Sequence, residues 1–202
     1  MRIAILGAGN IGGTLGRKWV QAGHQVLFGV RDLQSAKTIS ALEQAQGAKA
    51  ADVPGAIQDS EAILFSVPWK TVPEIAQAHA AALNGKLLID ATNNFAGPVI
   101  NNLKALREAA PDSKIYRAFN SLGWEVFAEP IIAGHTADMF YCGPDREPRN
   151  LIHKLIEEIG VNPIWVGEND RIHLVDNMGA LWVNMVVQRG WKRHSAFKAV
   201  IA

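Results

Sequence analysis

Two rhythms of apolar residues alternate along this chain. Ile3-Ala4-Ile5-Leu6 is a short unbroken apolar run ended by glycines, the pattern of a strand buried on both faces, as in a parallel sheet. From Asn10 to Ala22 the residues Ile11, Leu15, Trp19 and Val20 recur at helical spacing, and Gly23 stands where a left-handed residue ends a helix. Residues 25–30 are strand-like again, so β-α-β is complete in about 30 residues, and a right-handed crossover makes the two strands parallel neighbours. The alternation continues with a helix over 33–45, a strand over 62–67, a helix over 72–83, a strand over 87–90, a helix near 99–109 and a strand over 114–118. This is the rhythm of a Rossmann-type, doubly wound, mainly parallel α/β sheet of six strands; 62–67 counts as the fourth, and the third is given no residues.

Beyond residue 120 the pattern gives one more strand-helix-strand unit, over 139–142, 146–159 and 163–166. A long helix is expected over 169–189, where Ile172, Val175, Leu181, Trp182, Met185 and Val186 form a broad apolar face. That face must be covered, either by the preceding strands or by a twin helix in a second subunit. The expected organisation is a nucleotide-binding domain over 1–120 and a C-terminal extension over 121–202 that closes a cleft and supports a homodimer. There is no internal repeat or low-complexity segment.

Composition narrows the partners. A hydrophobic fraction of 49% with 19% charged residues is that of a folded globular chain, and a formal net charge of +1 gives no reason to expect nucleic acid or an anionic membrane. No apolar run approaches the roughly 20 residues of a membrane span, and the opening residues lack the parts of a signal peptide. The single cysteine, Cys142, excludes an internal disulfide framework and a cysteine-based zinc cage. A small-molecule partner and a cytoplasmic location are expected.

Gly7-Ala8-Gly9-Asn10-Ile11-Gly12 reads G-x-G-x-x-G between a strand and a helix. Gly7 permits the tight turn, Gly9 lets backbone approach a pyrophosphate, and Gly12 lets helix and strand pack closely. The free N–H groups at the helix start then face the phosphates. Which dinucleotide binds is decided where the second strand ends, at Val30-Arg31-Asp32. A carboxylate there accepts from a ribose 2′-hydroxyl, whereas an arginine pairs with a 2′-phosphate. Spacing alone does not choose; the reading favours Arg31, and hence NADPH, over Asp32 and NADH.

Ligands in such folds sit outside the carboxyl ends of the strands. Three further segments meet that condition: Ser66-Val67-Pro68-Trp69, Thr92-Asn93-Asn94 and Ala118-Phe119-Asn120. They offer an apolar rim and amide groups to a nicotinamide and to a second ring. Proton chemistry has less support. Tyr116 and Tyr141 are followed at Tyr-x-x-x-Lys spacing by Asn120 and Asp145, which excludes the short-chain dehydrogenase pattern, and the six histidines show no paired metal-ligand spacing. No metal is expected. The remaining candidate for proton chemistry is His173, which shares a helix face with Asp176 and Asn177.

These segments together resemble the deazaflavin-dependent NADP oxidoreductases, the coenzyme F420-dependent family to which the cytosolic domains of the STEAP metalloreductases are also similar. The resemblance runs over essentially the whole chain: G-A-G-N-I-G at 7–12, G-V-R at 29–31, V-P-W at 67–69, A-F-N at 118–120, F-Y-C-G-P-D at 140–145 and A-L-W-V-N-M from 180. It implies NADP lying along Gly7 to Gly12 and Arg31, with the nicotinamide near Val67 and Pro68. Coenzyme F420 or a flavin would stack on it, beside Trp69, Asn94, Asn120 and Trp182. Hydride transfer between two ring carbons then needs alignment and water exclusion rather than a side-chain acid. The chain departs from that family at Val30, where serine or threonine is common, and at the Asn93-Asn94-Phe95 turn. Two other readings stand beside it: a reductase of small carbonyls or imines resembling the β-hydroxyacid dehydrogenases, with His173 in the lysine's place, and a non-catalytic NADP(H)-binding redox sensor.

Overall fold

The computed structural model describes residues 1–145 and 147–200. β1 (Arg2–Leu6), α1 (Asn10–Gln21) and β2 (Gln25–Gly29) form the opening unit, with β1 and β2 parallel and Leu6 opposite Gly29. α1 turns Leu15 and Trp19 into the core and stops at Gly23, whose φ of 90° is open to glycine. Next come α2 (Ala36–Gln44), β3 (Lys49–Ala51), α3 (Val53–Gln58), β4 (Ala62–Phe65), α4 (Val72–Ala78) and α5 (Ala80–Leu83). β5 (Leu87–Asp90), α6 (Leu103–Ala109) and β6 (Lys114–Arg117) complete the sheet.

The strand order is β3-β2-β1-β4-β5-β6, all parallel, which is the doubly wound Rossmann arrangement. Alternate residues of each strand feed opposite faces. Ile3 and Ile5 join Leu15, Trp19 and Phe28 on one side, while Ala4 and Leu6 join Ile57, Ile63 and Phe65 on the other. The order reverses between β1 and β4, and it is outside the carboxyl ends at such a reversal that this arrangement leaves a crevice.

Several boundaries differ from the sequence reading, each for a local reason. The unassigned third strand is β3, whose three residues Lys-Ala-Ala carry no apolar rhythm, and α3 is too short to show a helical period. α2 starts at Ala36 rather than 33 because Ser35 caps it, its Oγ accepting from Thr38 N at 3.3 Å. The helix expected over 72–83 breaks at His79 into α4 and α5. That expected from 99 begins at Leu103, because Asn94 N donates to Ile100 O at 2.9 Å and holds the preceding residues in a loop.

The C-terminal part contains α7 (Trp124–Ala128), the hairpin β7 (Ile131–Ile132) and β8 (His135–Thr136), β9 (Asp138–Tyr141), α8 (Glu147–Glu158), β10 (Asn162–Trp165) and α9 (Ile172–Val183). The sequence reading missed α7 and the hairpin. Arg146, where helix α8 was expected to start, lies outside the described residues. β9 and β10 are parallel, and β9 meets the main sheet through an antiparallel bridge in which Arg117 and Cys142 exchange N–H···O bonds of 2.9 and 3.1 Å. α8 leans on α1, where Trp19 Nε1 donates to Leu155 O at 2.9 Å. The long helix expected over 169–189 is instead a 3₁₀ turn at Asn169–Arg171, then α9, then a π turn at Asn184–Gln188. No helix among the described residues is long and apolar enough to cross a membrane.

Candidate functional site

The glycine turn is shaped by what surrounds it. Gly7 has a φ of 102°, and a Cβ there would stand 2.8 Å from Ser66 O. A Cβ on Gly12 would stand 2.2 Å from Gly7 O and 2.6 Å from Ser66 Oγ, so both positions exclude a side chain by contact with β4's end. Gly9 is different: a Cβ there would meet nothing within 4 Å, because this residue faces open space. Gly9 is also the N-cap of α1, and no side chain fills that role, whereas Ser35 and Asp52 cap α2 and α3. The first N–H groups of a 12-residue helix with no acidic residue in its first turn are thus left open to the crevice. That donor set suits a pyrophosphate.

A cavity of about 560 Å³ runs from this turn to the end of β2 and across to α4. Gly7, Ala8, Gly9, Val30, Arg31, Ser66, Val67 and Pro68, all expected from the sequence, line it. A second cavity of about 770 Å³ lies on the other side of the turn, lined by Ala8, Gly9, Asn10, Ile11 and Ser66. Gly12 is buried between them. Ser66 lines both cavities, and its Oγ donates to Leu6 O at 3.1 Å and Gly7 O at 3.2 Å, tying the turn to β4.

At the end of β2 both candidates for the ribose end, Arg31 and Asp32, line the first cavity, and Asp32 is also engaged in a local turn. Asp32 Oδ1 accepts from Gln34 N at 2.9 Å and Asp32 O accepts from Thr38 Oγ1 at 2.9 Å, so Asp32 builds the turn into α2. Arg31 lines the first cavity, and Lys37 from the first turn of α2 lines both. Neither has a carboxylate partner among the described residues. The sequence reading missed Lys37 together with Ser35, although Ser35 ahead of a helical stretch was a visible cap signal. It also missed Thr71, Glu74, Ile75, Ala78 and His79 at the far end, and Trp124 and Arg193 in the second cavity.

The carboxyl ends of β5 and β6 carry a buried polar network. Arg117 is 1% exposed, and its Nε donates to Asp176 Oδ1 at 2.9 Å, its Nη1 to Asp90 O at 3.0 Å and its Nη2 to Asn93 Oδ1 at 2.7 Å. Asn93 Nδ2 in turn donates to Asn120 O at 2.8 Å. Asp90 accepts from Thr92 N, Thr92 Oγ1 and Asn102 N, and Asp176 Oδ2 accepts from Asn101 Nδ2 at 2.6 Å. Between Ala118 and Asn120 the chain passes through Phe119 at a φ of 61°. Such strain costs about 1–3 kcal/mol. The ring packs edge-on between Trp19 and Phe127, with centroids 5.7 and 5.8 Å away, and burying it returns a comparable about 1.5–3 kcal/mol.

The other expected residues lie apart from these cavities. Asn94 pins its own loop, its Nδ2 donating to Val99 O at 3.1 Å, and Trp69 opens a 3₁₀ turn. Trp182 is buried under the C-terminal tail, its Nε1 donating to Ser195 O at 2.8 Å beneath the guanidinium of Arg193. His173 is exposed, with Nδ1 3.2 Å from Asp170 O, and Asp176 on the same helix faces Arg117, so the expected His173-Asp176-Asn177 cluster is not assembled. Burial pushes the Cys142 thiol up to about 12, which keeps it protonated and unreactive. Among the described residues no group of three His, Cys, Asp or Glu side chains could hold a metal ion.

With an uncapped helix start facing an open cavity and cations at the far side, the relatives become informative. Residues 2–94 match the model of the family described as NADP oxidoreductase coenzyme F420-dependent. The match spans 93 of the 202 residues, a little under half of the chain. Over the whole chain, a structure from Arthrobacter sp. FB24 described as a candidate F420-dependent NADP reductase is similar, at 20% identity and a TM-score of 0.84, covering 98% of this chain and 99% of that one. An imine reductase of Streptomyces aurantiacus shares the fold at 19% identity and a TM-score of 0.65, over 94% of this chain and 62% of its own. A glycerol-3-phosphate dehydrogenase [NAD(P)+] of Ectopseudomonas mendocina is 26% identical over 125 residues, 56% of this chain. The alignment covers 37% of the dehydrogenase's length, so this chain spans little more than a third of that curated relative.

Proposed function

We propose that the protein is an NADPH-dependent oxidoreductase that passes a hydride between NADP(H) and a flat ring acceptor, either a deazaflavin such as coenzyme F420 or a flavin. The observation that carries this reading is the open N-terminus of α1 at Gly9, set in a cavity that also presents Arg31 and Lys37 while Asp32 is occupied in its own turn. A pyrophosphate would take the N–H groups of the α1 start, and the 2′-phosphate would pair with Arg31 and Lys37. Both the matched family and the Arthrobacter relative carry descriptions that point the same way.

When bound, the nicotinamide supplies the hydride; the chain's part is to bind, orient and exclude water. Val67 and Pro68 form a stiff apolar rim on the cavity, and the second cavity beside Ile11, Trp124 and Arg193 leaves room for an acceptor. The C-terminal part, 121–202, brings Trp124 and Arg193 to the acceptor side. A carbonyl or imine reductase would need a proton donor beside its substrate. His173, expected in that role, is exposed, and Asp176 on the same helix is committed to Arg117. A cytoplasmic location and a homodimer, both expected from the sequence, belong to the same proposal, and light scattering reads the latter.

The test is oxidation of NADPH, followed by its absorbance, with F420, FMN or riboflavin as acceptor. Turnover with one of them is expected. NADPH binding without oxidation by any acceptor would turn the reading to a redox sensor.

A further inference from the structure

The second cavity carries charge of one sign. Lys37 and Arg193 line it, and among the described residues no carboxylate does, whereas Asp32 and Glu74 stand in the lining of the first. The open N–H end of α1 reaches this side too, since Gly9 and Asn10 also line it. Trp124 adds an aromatic ring. A flat ring that carries an anionic group fits such a lining; a neutral ring would meet the indole and leave the cationic donors unused.

Lys37 lines both cavities and serves the 2′-phosphate in the reading above, whereas Arg193 lines the second alone. Arg193 arrives on a segment tied on both sides: Trp191 N donates to Met185 O at 3.0 Å, His194 Nε2 lies 2.7 Å from Glu129 O, and Ser195 O accepts from Trp182 Nε1 at 2.8 Å. The side chain is held as well. Its guanidinium lies over the Trp182 ring, 5.4 Å from the centroid, and its Nε donates to Glu125 Oε1 at 2.6 Å. That pairing offsets the long-range field of the charge, but Glu125 takes only the Nε edge. Glu125 Oε2 is buried without a hydrogen-bond partner, and the Nη groups of Arg193 make no hydrogen bond among the described residues. The guanidinium is thus fixed at the cavity with donors free, and a cation already held in place binds an anion at little ordering cost.

We infer that Arg193, carried in by the C-terminal segment, determines the specificity of the acceptor cavity: its Nη groups bind a phosphate borne by the ring acceptor, so the substrate class is a phosphate-bearing flavin or deazaflavin rather than the bare ring. The inference rests on the functional reading above, which admits riboflavin on equal terms. It assigns the two arginines to different ligands, Arg31 to the nucleotide and Arg193 to the acceptor, so their effects separate.

The test is a fluorescence titration of two matched pairs into the protein holding NADP+: FMN against riboflavin, and coenzyme F420 against the same deazaflavin ring without its phosphate-bearing tail. In the pair whose ring the site accepts, the phosphate-bearing member should bind at least about tenfold more tightly. Arg193→Gln keeps a donor for Glu125, and the fold tolerates the exchange because the side chain is 53% exposed. It should close the gap by weakening the phosphate-bearing member about tenfold, with NADP+ affinity within about twofold of the unaltered protein. KM for the acceptor should rise in parallel in NADPH oxidation. Equal binding within both pairs, or an Arg193→Gln protein that keeps the gap, would overturn the role given to Arg193 and leave the functional reading standing. A loss of NADP+ affinity in that variant would overturn it too, since Arg193 would then serve the nucleotide. Failure of all the acceptors to bind or to oxidise NADPH would instead remove the functional reading and this inference with it.

Discussion

The two ends of this molecule build their polar sites in opposite ways. At the opening turn the functional groups are backbone N–H donors, and the side chains are absent by necessity: a Cβ at Gly12 would stand 2.2 Å from Gly7 O. At the junction of β5, β6 and α9 the working groups are side chains drawn together from positions 90, 93, 117 and 176. The first arrangement is written within a dozen consecutive residues, and the second exists only after the chain has folded. The first should therefore fail locally and in ligand binding, the second globally and in stability.

Arg117→Met as a single change tests the second arrangement hardest. It removes the cation that Asp176 contacts at 2.9 Å and that lies 3.5 Å from Asp90 Oδ2, all three being buried. A loss of about 3–5 kcal/mol in unfolding free energy is expected, because a buried pair is broken rather than replaced. Urea unfolding measures it, and a loss below about 1 kcal/mol would show that the network holds nothing together.

The opening turn is tested by a pair of glycines one residue apart. Gly12→Ala forces a Cβ onto Gly7 O, Ser66 Oγ and Ile5 Cγ2, and overpacking of this kind costs about 1–3 kcal/mol. If the strain falls on the phosphate turn, NADPH affinity drops about tenfold or more. Gly13→Ala places its Cβ 3.8 Å from Ala41 Cβ, an ordinary contact, inside a helix where alanine outperforms glycine by about 0.5–1 kcal/mol. That variant should be slightly more stable and bind NADPH unchanged. Equal binding by both variants would erase the distinction drawn between the two glycines.

A smaller effect is expected where the C-terminal tail is tied down. Burial opposes ionisation of Asp138, but hydrogen bonds from Lys198 Nζ at 2.6 Å, Asn162 Nδ2 at 3.0 Å and Ala199 N at 2.6 Å outweigh it and hold the carboxyl below its ordinary range. A folded value below the unfolded one means that the contribution is complete above about pH 4 and is lost as the pH falls through the folded value. The protection factor of the Ala199 amide, its intrinsic exchange rate over the observed one, should therefore fall on acidification below that point, with Asp138→Asn showing the low protection already at neutral pH. A pH-independent protection factor would contradict the anchoring.

The same division explains what could be read before folding. Ile3 to Leu6 and the spacing of Leu15 and Trp19 announce a buried strand and its helix, because burial on both faces and a 3.6-residue period are local properties. β3 and α3 escape notice because Lys-Ala-Ala and a six-residue helix are too short to show a period. In the site, the glycines and Arg31 are legible from their own neighbourhood. Lys37 becomes visible only once Ser35 fixes the start of α2, which turns its side chain toward both cavities. His173 misleads because a shared helix face suggests partnership, while Asp176 is taken by a guanidinium 59 residues earlier in the chain. Trp182 misleads similarly, covered by a tail whose return over it no local pattern shows.

The central claim is that a dinucleotide with a 2′-phosphate lies along the opening turn with Arg31 at its far end. Calorimetric titration with NADP+ and with NAD+, on the unaltered protein and on Arg31→Ala, tests it most directly. The account predicts that NADP+ binds at least about tenfold more tightly than NAD+, as one charge-assisted contact worth about 1.5–3 kcal/mol requires, and that Arg31→Ala weakens NADP+ while leaving NAD+ unchanged. Equal affinities for the two nucleotides in the unaltered protein, or no heat with either, would contradict it.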